Sequence, residues 1–135
     1  MIAEFAQDVY ISMLDKEPLY GVDNEYLNKV QNEVKDTSRG FLIEWIIDVH
    51  RKFRLLPETL YVAVLTIDRY LSKKVIEKKQ LHLVGISALL ISTKYEEIYP
   101  PELKELLNAS ENKFAKEEVL AMEFDILSTL EFNFF

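Results

Sequence analysis

Apolar residues recur at helical spacing along almost the whole chain, and the runs break on proline, glycine and short polar stretches. Ile2, Phe5, Ala6, Val9 and Met13 make a narrow stripe on a first amphipathic helix, which Glu17-Pro18 ends. A turn at Pro18-Leu19-Tyr20-Gly21 and a weakly helical piece with Tyr26, Leu27, Val30 and Val34 follow. Asp36, Thr37 and Ser38 are cap candidates for the next helix, where Phe41, Leu42, Ile43, Trp45, Ile46, Ile47, Val49 and Phe53 surround nearly the whole circumference. Either that helix is buried on every side or part of its apolar surface awaits a ligand.

Pro57 stands where a first helical residue belongs, Glu58 suits a positive helix start, and Leu60, Tyr61, Val64, Leu65, Ile67 and Leu71 follow at helical spacing. A further helix from about Lys79 to Glu97 is apolar on all sides, which marks it as the central one; Gly85 and Ala88 permit close packing on it. Pro100-Pro101 stops it and opens a short helix with Leu103, Leu106 and Leu107, closed by Asn108; Phe114 to Leu130 forms the last. The expected architecture is all-α: a five-helix body over residues 37–135, preceded by a separate N-terminal helix and linker over residues 1–36.

Composition narrows the function. A chain of 135 residues with 49% hydrophobic content fits one core, and three glycines and four prolines with no alternating β-branched runs argue against sheets. A net charge of −7 disfavours nucleic acid, which needs a concentrated basic face. Lys73, Lys74, Lys78 and Lys79 bracket an interhelical turn, where a solvated loop is the plain reading and an anion-docking spot the other. No cysteine is present, which excludes thiol nucleophiles and disulfides and fits a reducing compartment. An acid at Glu4, with no apolar stretch of spanning length, points to an intracellular chain without a membrane partner.

Two charges break the pattern. Lys94 falls one turn after Leu90 and Ile91 on the central helix, and Glu123 interrupts the stripe of Val119, Leu120, Leu127 and Leu130. Isolated charges in apolar surroundings are costly, so the two either form an ordinary intrachain ion pair or meet a partner's backbone at one semi-buried spot. A metal enzyme built on Glu96, Glu97, Glu123, His50 and His82 is disfavoured, because no Glu-x-x-His occurs to place a carboxylate and an imidazole on one helix face.

Four segments carry a resemblance. Ser38-Arg39-Gly40-Phe41-Leu42-Ile43-Glu44-Trp45 looks like M-R-A-I-L-x-D-W, and Tyr61 to Leu71 looks like L-A-x-x-x-I-D-R-F-L. Leu81-His82-Leu83-Val84-Gly85 looks like L-Q-L-V-G, and Lys94-Tyr95-Glu96-Glu97-Ile98-Tyr99-Pro100-Pro101 matches K-[FY]-E-E-I-Y-P-P nearly letter for letter. In this order and spacing, from about Ser38 to Phe132, they resemble the first cyclin box of the mitotic A and B type cyclins.

The resemblance implies a non-enzymatic regulatory subunit, without a cofactor, that activates a cyclin-dependent protein kinase by holding the kinase's regulatory helix inward. It implies a kinase-binding surface anchored by Lys94 and Glu123, with Glu97, Leu90, Ile91, Phe5 and Val9 around them. It also implies a groove of Arg39, Phe41, Leu42, Trp45, Asp48, Leu81 and His82 that docks substrate or inhibitor proteins through a short basic-x-Leu motif. Ser38, Lys52 and His82 depart from the family pattern and leave a less acidic, less apolar rim, and His82 brings pH dependence near neutrality. The family continues into a second five-helix box, expected to be absent here, and its members work in the nucleus and cytoplasm. The rival reading is a cyclin-fold adaptor in transcription, for which Lys94, Glu123 and the Tyr95 to Ile98 run are the discriminator.

Overall fold

A computed structural model of the chain describes residues 30–131. The N-terminal stripe with Phe5 and Val9, and the final Phe132 to Phe135, lie outside the described residues. Five α-helices appear where the spacing predicts them: α1 Asp36–Lys52, α2 Pro57–Leu71, α3 Leu81–Glu96, α4 Leu103–Ala109 and α5 Lys116–Thr129, with a 3₁₀ turn, Lys78–Gln80, leading into α3.

The helix ends follow from local chemistry. Helix α1 begins one residue before the expected caps: Lys35 is the extended N-cap residue, Asp36 is the first helical one, and the Ser38 side chain is buried. Asp36 thus stands where an acid meets the positive end of the helix. At the other end Arg54 adopts a left-handed backbone (φ 54°), while Leu55 N–H reaches His50 O at 3.2 Å and Arg54 N–H reaches Arg51 O at 3.1 Å. That is the hydrogen-bond pattern a glycine usually closes, here made by arginine. Pro57 opens α2 as expected. Glu105 and Glu118 each reach back to the N–H just before α4 and α5, at 3.1 and 2.9 Å.

Helix α3 is the centre. Every residue from Val84 to Thr93 is buried, with α1, α2 and α5 packed against it. Ser92 and Thr93 are satisfied within the helix, by Leu89 O at 2.9 Å and Leu90 O at 2.7 Å, and Ser87 donates across to Val119 O on α5 at 3.4 Å. Helix α1 crosses it at Gly85, where a Cβ would lie 2.7 Å from Leu42 Cδ1 and 3.3 Å from Ile46 Cδ1. The close approach anticipated for Gly85 is therefore what lets α1 press into the core.

Two polar clamps tie the ends of the bundle. The buried Gln31 amide donates to Leu71 O (2.6 Å) and Lys74 O (2.7 Å) and accepts from Ile76 N–H (3.2 Å), fixing the α2–α3 connection. Lys74 Nζ lies 2.6 Å from Asp125 Oδ1, and Tyr70 donates its hydroxyl to the same carboxylate. Burial works against the Asp125 anion, but the hydrogen bonds from Lys74 and Tyr70 outweigh it and hold its pKa below the ordinary value. Lys79 pairs with Glu77 at 3.2 Å, so two lysines of the basic cluster have acidic partners, as a solvated turn would.

Candidate functional site: a polar pair on an apolar face

Lys94 lies in the last turn of α3, and Glu123 lies midway along α5, where the two helices pack together. Their side chains meet, with Lys94 Nζ 2.8 Å from Glu123 Oε2. The pair is asymmetric: the Lys94 side chain is 54% exposed and the Glu123 side chain 13%. Glu123 is held against the protein while the ammonium turns outward with donors to spare. A pair this open contributes about 0–1 kcal/mol to folding, too little to explain two charges in apolar stripes.

Its surroundings are apolar. Ile91, Tyr95 and Leu127 join the pair in lining a hollow of about 210 Å³. Leu120 and Phe124 lie exposed on α5, Phe124 at 67%, and Tyr95, Ile98 and Tyr99 are exposed at and beyond the end of α3. Helical spacing places Leu120 in the core stripe, whereas the structure leaves it and Phe124 outside. The signal available was adjacency, a phenylalanine next to the one acid in the stripe.

Other residues assigned to this surface separate in the structure. Leu90 is buried in the core, whereas Ile91, also buried, borders the hollow. Glu97 turns toward the start of α2: its Oε2 accepts the Leu56 N–H at 2.8 Å and the Thr59 hydroxyl. It secures the α3 terminus to α2, a role within the chain that leaves no unpaired carboxylate for a partner to explain.

The residues of the second assigned site lie at different depths. Arg39 is 2% exposed and points into the protein, where Nε meets Asp68 Oδ1 and Nη2 meets Asp68 Oδ2, both at 2.8 Å. Leu42 and Leu81 are likewise core residues. A buried guanidinium needs a carboxylate, and α2 supplies one, so Arg39 has no freedom to line a groove. What remains on the surface is Phe41, 69% exposed, with Asp48 exposed and Trp45 half-buried. The Trp45 and His82 rings lie 4.9 Å apart at 58°. The apolar excess of α1 is thus divided, its larger part buried and Phe41 with one face of Trp45 left to the outside. Beside the two rings a second cavity of about 210 Å³ runs to the corner between α4 and α5.

Among the described residues no group of three His, Cys, Asp or Glu stands where it could hold a metal ion, and no helix is long and apolar enough to cross a membrane. The fold and its open apolar face with one polar pair define an all-helical domain with an exposed apolar surface.

The comparisons give that domain a family. The pattern described as the cyclin N-terminal domain matches residues 8–134. Cyclin-A1-1 of Arabidopsis thaliana is 42% identical over 133 residues, and Cyclin-B1-5 of Oryza sativa subsp. japonica 40% over 136. Each alignment covers 98% of this chain but only 29% of the relative. A viral cyclin from herpesvirus saimiri superposes with a TM-score of 0.77 at 27% identity, over 96% of this chain and 55% of that one. The chain belongs to the cyclin family, and its five-helix body is the cyclin fold.

Proposed function

We propose that this chain is a regulatory subunit without chemistry of its own, which binds and activates a cyclin-dependent Ser/Thr protein kinase in the control of cell division, in the nucleus and cytoplasm. The observation that carries this reading is the preformed Lys94 and Glu123 pair at 2.8 Å beside an open apolar hollow. An interface core of this kind, apolar with one desolvated polar anchor, is where binding energy concentrates. Pairing before the partner arrives lowers the ordering cost on binding. Phe5 and Val9, outside the described residues, are assigned to the same surface.

A second surface, on Phe41, Trp45, Asp48 and His82, docks substrate or inhibitor proteins through a basic-x-Leu motif. Trp45 supports it as an aromatic wall for a leucine, and Asp48 as a carboxylate for a basic residue.

The test is phosphate transfer by a panel of monomeric cyclin-dependent kinases, with and without the purified 135-residue chain. Activation of one kinase is expected, with loss in Lys94→Ala and Glu123→Ala at unchanged Tm. Failure of the folded parent to bind any of them would overturn the kinase reading in favour of an adaptor.

A further inference from the structure

The cavity next to Trp45 and His82 is not accounted for by a leucine and a basic residue. Its far wall is the corner after α4, with Ser110, Glu111, Lys113 and Phe114. That corner is firmly built: Glu111 and Asn112 both take left-handed backbones, φ 59° and 55°, although neither is glycine. Asn112 N–H to Leu107 O at 2.9 Å and Glu111 N–H to Asn108 O at 3.0 Å hold it closed. A backbone kept in a disfavoured region persists only where its surroundings over-determine it. The result is to present Lys113 toward His82.

Lys113 has no salt bridge among the described residues, although the cavity also contains Glu111. The charges that face His82 are therefore Lys113 and Glu111, both from the corner; α1 offers the uncharged Trp45. Burial first, and then the Lys113 charge, hold the His82 pKa below its ordinary value, while Glu111 exerts no comparable pull. Lys113, which makes no salt bridge among the described residues, is thus the cation on this lining that an acidic side chain can pair with. A carboxylate seated there would pair with Lys113 and favour the protonated imidazole, giving the site two donors.

We infer that this cavity is an acid-selective subsite, which takes a glutamate or aspartate side chain of the docked segment close to its leucine. The inference rests on the docking reading above and adds a requirement to it. Since an extended chain advances about 3.3 Å per residue, the acid belongs within roughly two residues of the leucine.

Fluorescence polarisation with basic-x-Leu peptides carrying either glutamate or alanine at the flanking positions tests this at pH 8 and pH 6. The glutamate peptide should bind roughly threefold more tightly at pH 8, the size expected of one solvent-facing ion pair, and the preference should grow at pH 6. Lys113→Met should remove the preference at pH 8, and His82→Gln should remove only its growth at pH 6. Asp48→Lys, an exposed change, and Trp45→Ala with its Tm checked should weaken every peptide. Equal binding of both peptides by the parent at both pH values, with Asp48→Lys still weakening them, would overturn the acid subsite and leave the docking groove standing. No binding of any peptide, or binding indifferent to both Asp48→Lys and Trp45→Ala, would overturn the groove and the subsite together.

Discussion

Arg39 on α1 and Asp68 on α2 face each other inside the protein in a two-pronged contact, Nε to Oδ1 and Nη2 to Oδ2, each at 2.8 Å. Both side chains are almost sealed from solvent, at 2% and 4% exposure. Removing one partner strands the other charge in the core. Arg39→Ala and Asp68→Ala are each expected to cost about 3–5 kcal/mol, read as a fall in the urea midpoint. The double change Arg39→Met with Asp68→Leu should recover part of it; a double variant as unstable as the sum of the singles would contradict a coupling between the two charges.

Lys94 and Glu123 should behave in the opposite way. With the lysine mostly exposed, Lys94→Ala should shift folding stability by no more than about 1 kcal/mol. The same change should weaken kinase binding by on the order of 2–5 kcal/mol, because it leaves Glu123 unpaired in a desolvated interface. Isothermal titration beside a thermal melt separates the two effects.

Glu97 gives a control within the same motif. Its carboxylate serves Leu56 N–H and the Thr59 hydroxyl at the start of α2. Glu97→Ala is expected to cost about 1–2 kcal/mol of stability, the usual loss on removing a helix N-terminal acceptor. Kinase affinity should follow only as far as the folded fraction does. A loss of affinity at full folding would place Glu97 in the interface.

The Tyr70, Lys74 and Asp125 network predicts a pH dependence at both ends of the scale. The Asp125 pKa lies below its ordinary value, so its contribution is present above the unfolded carboxylate value of about 3.9 and fades as pH falls through the lower folded one. Burial and then Asp125 push the Tyr70 hydroxyl above its ordinary value, so its contribution is present below about pH 10 and fades as pH rises through the folded value. Asp125→Asn should flatten the acid limb of a stability-against-pH curve. The loss at neutral pH should not exceed about 1 kcal/mol, as the Lys74 and Asp125 side chains are each more than a third exposed.

Gly85→Val tests the crossing of α1 over α3. A side chain there meets Leu42 and Ile46 in the core, and overpacking of this kind costs about 1–3 kcal/mol. Thermal unfolding should show it, and Gly40→Ala, with open space around it, should show no clash and gain from better helix propensity.

The sequence by itself determined the helices. Each depends on spacing within one segment, and Pro57, Pro100 and Pro101 mark boundaries by their own backbone restriction, so α2 and α3 end close to where the pattern places them. At the start of α3, which begins two residues later than the period suggests, a 3₁₀ turn occupies residues that a helical period also fits. The Lys94 and Glu123 pairing was legible too, because a charge interrupting an apolar stripe announces a need for a partner.

Only the tertiary structure decided which charged and apolar residues face outward. Arg39 sits in a motif that read as surface, yet its partner Asp68 lies 29 positions away on another helix, and periodicity along α1 says nothing of it. Glu97 was likewise claimed by the start of α2, 41 positions earlier at Leu56. On helix α1 the outward face carries Glu44, Asp48, Arg51 and Lys52 together with Phe41, while the placement of α3 against another side at Gly85 covers Leu42 and Ile46. Periodicity reports the polarity of each face of a helix; what covers that face is set by neighbours brought together from elsewhere in the chain.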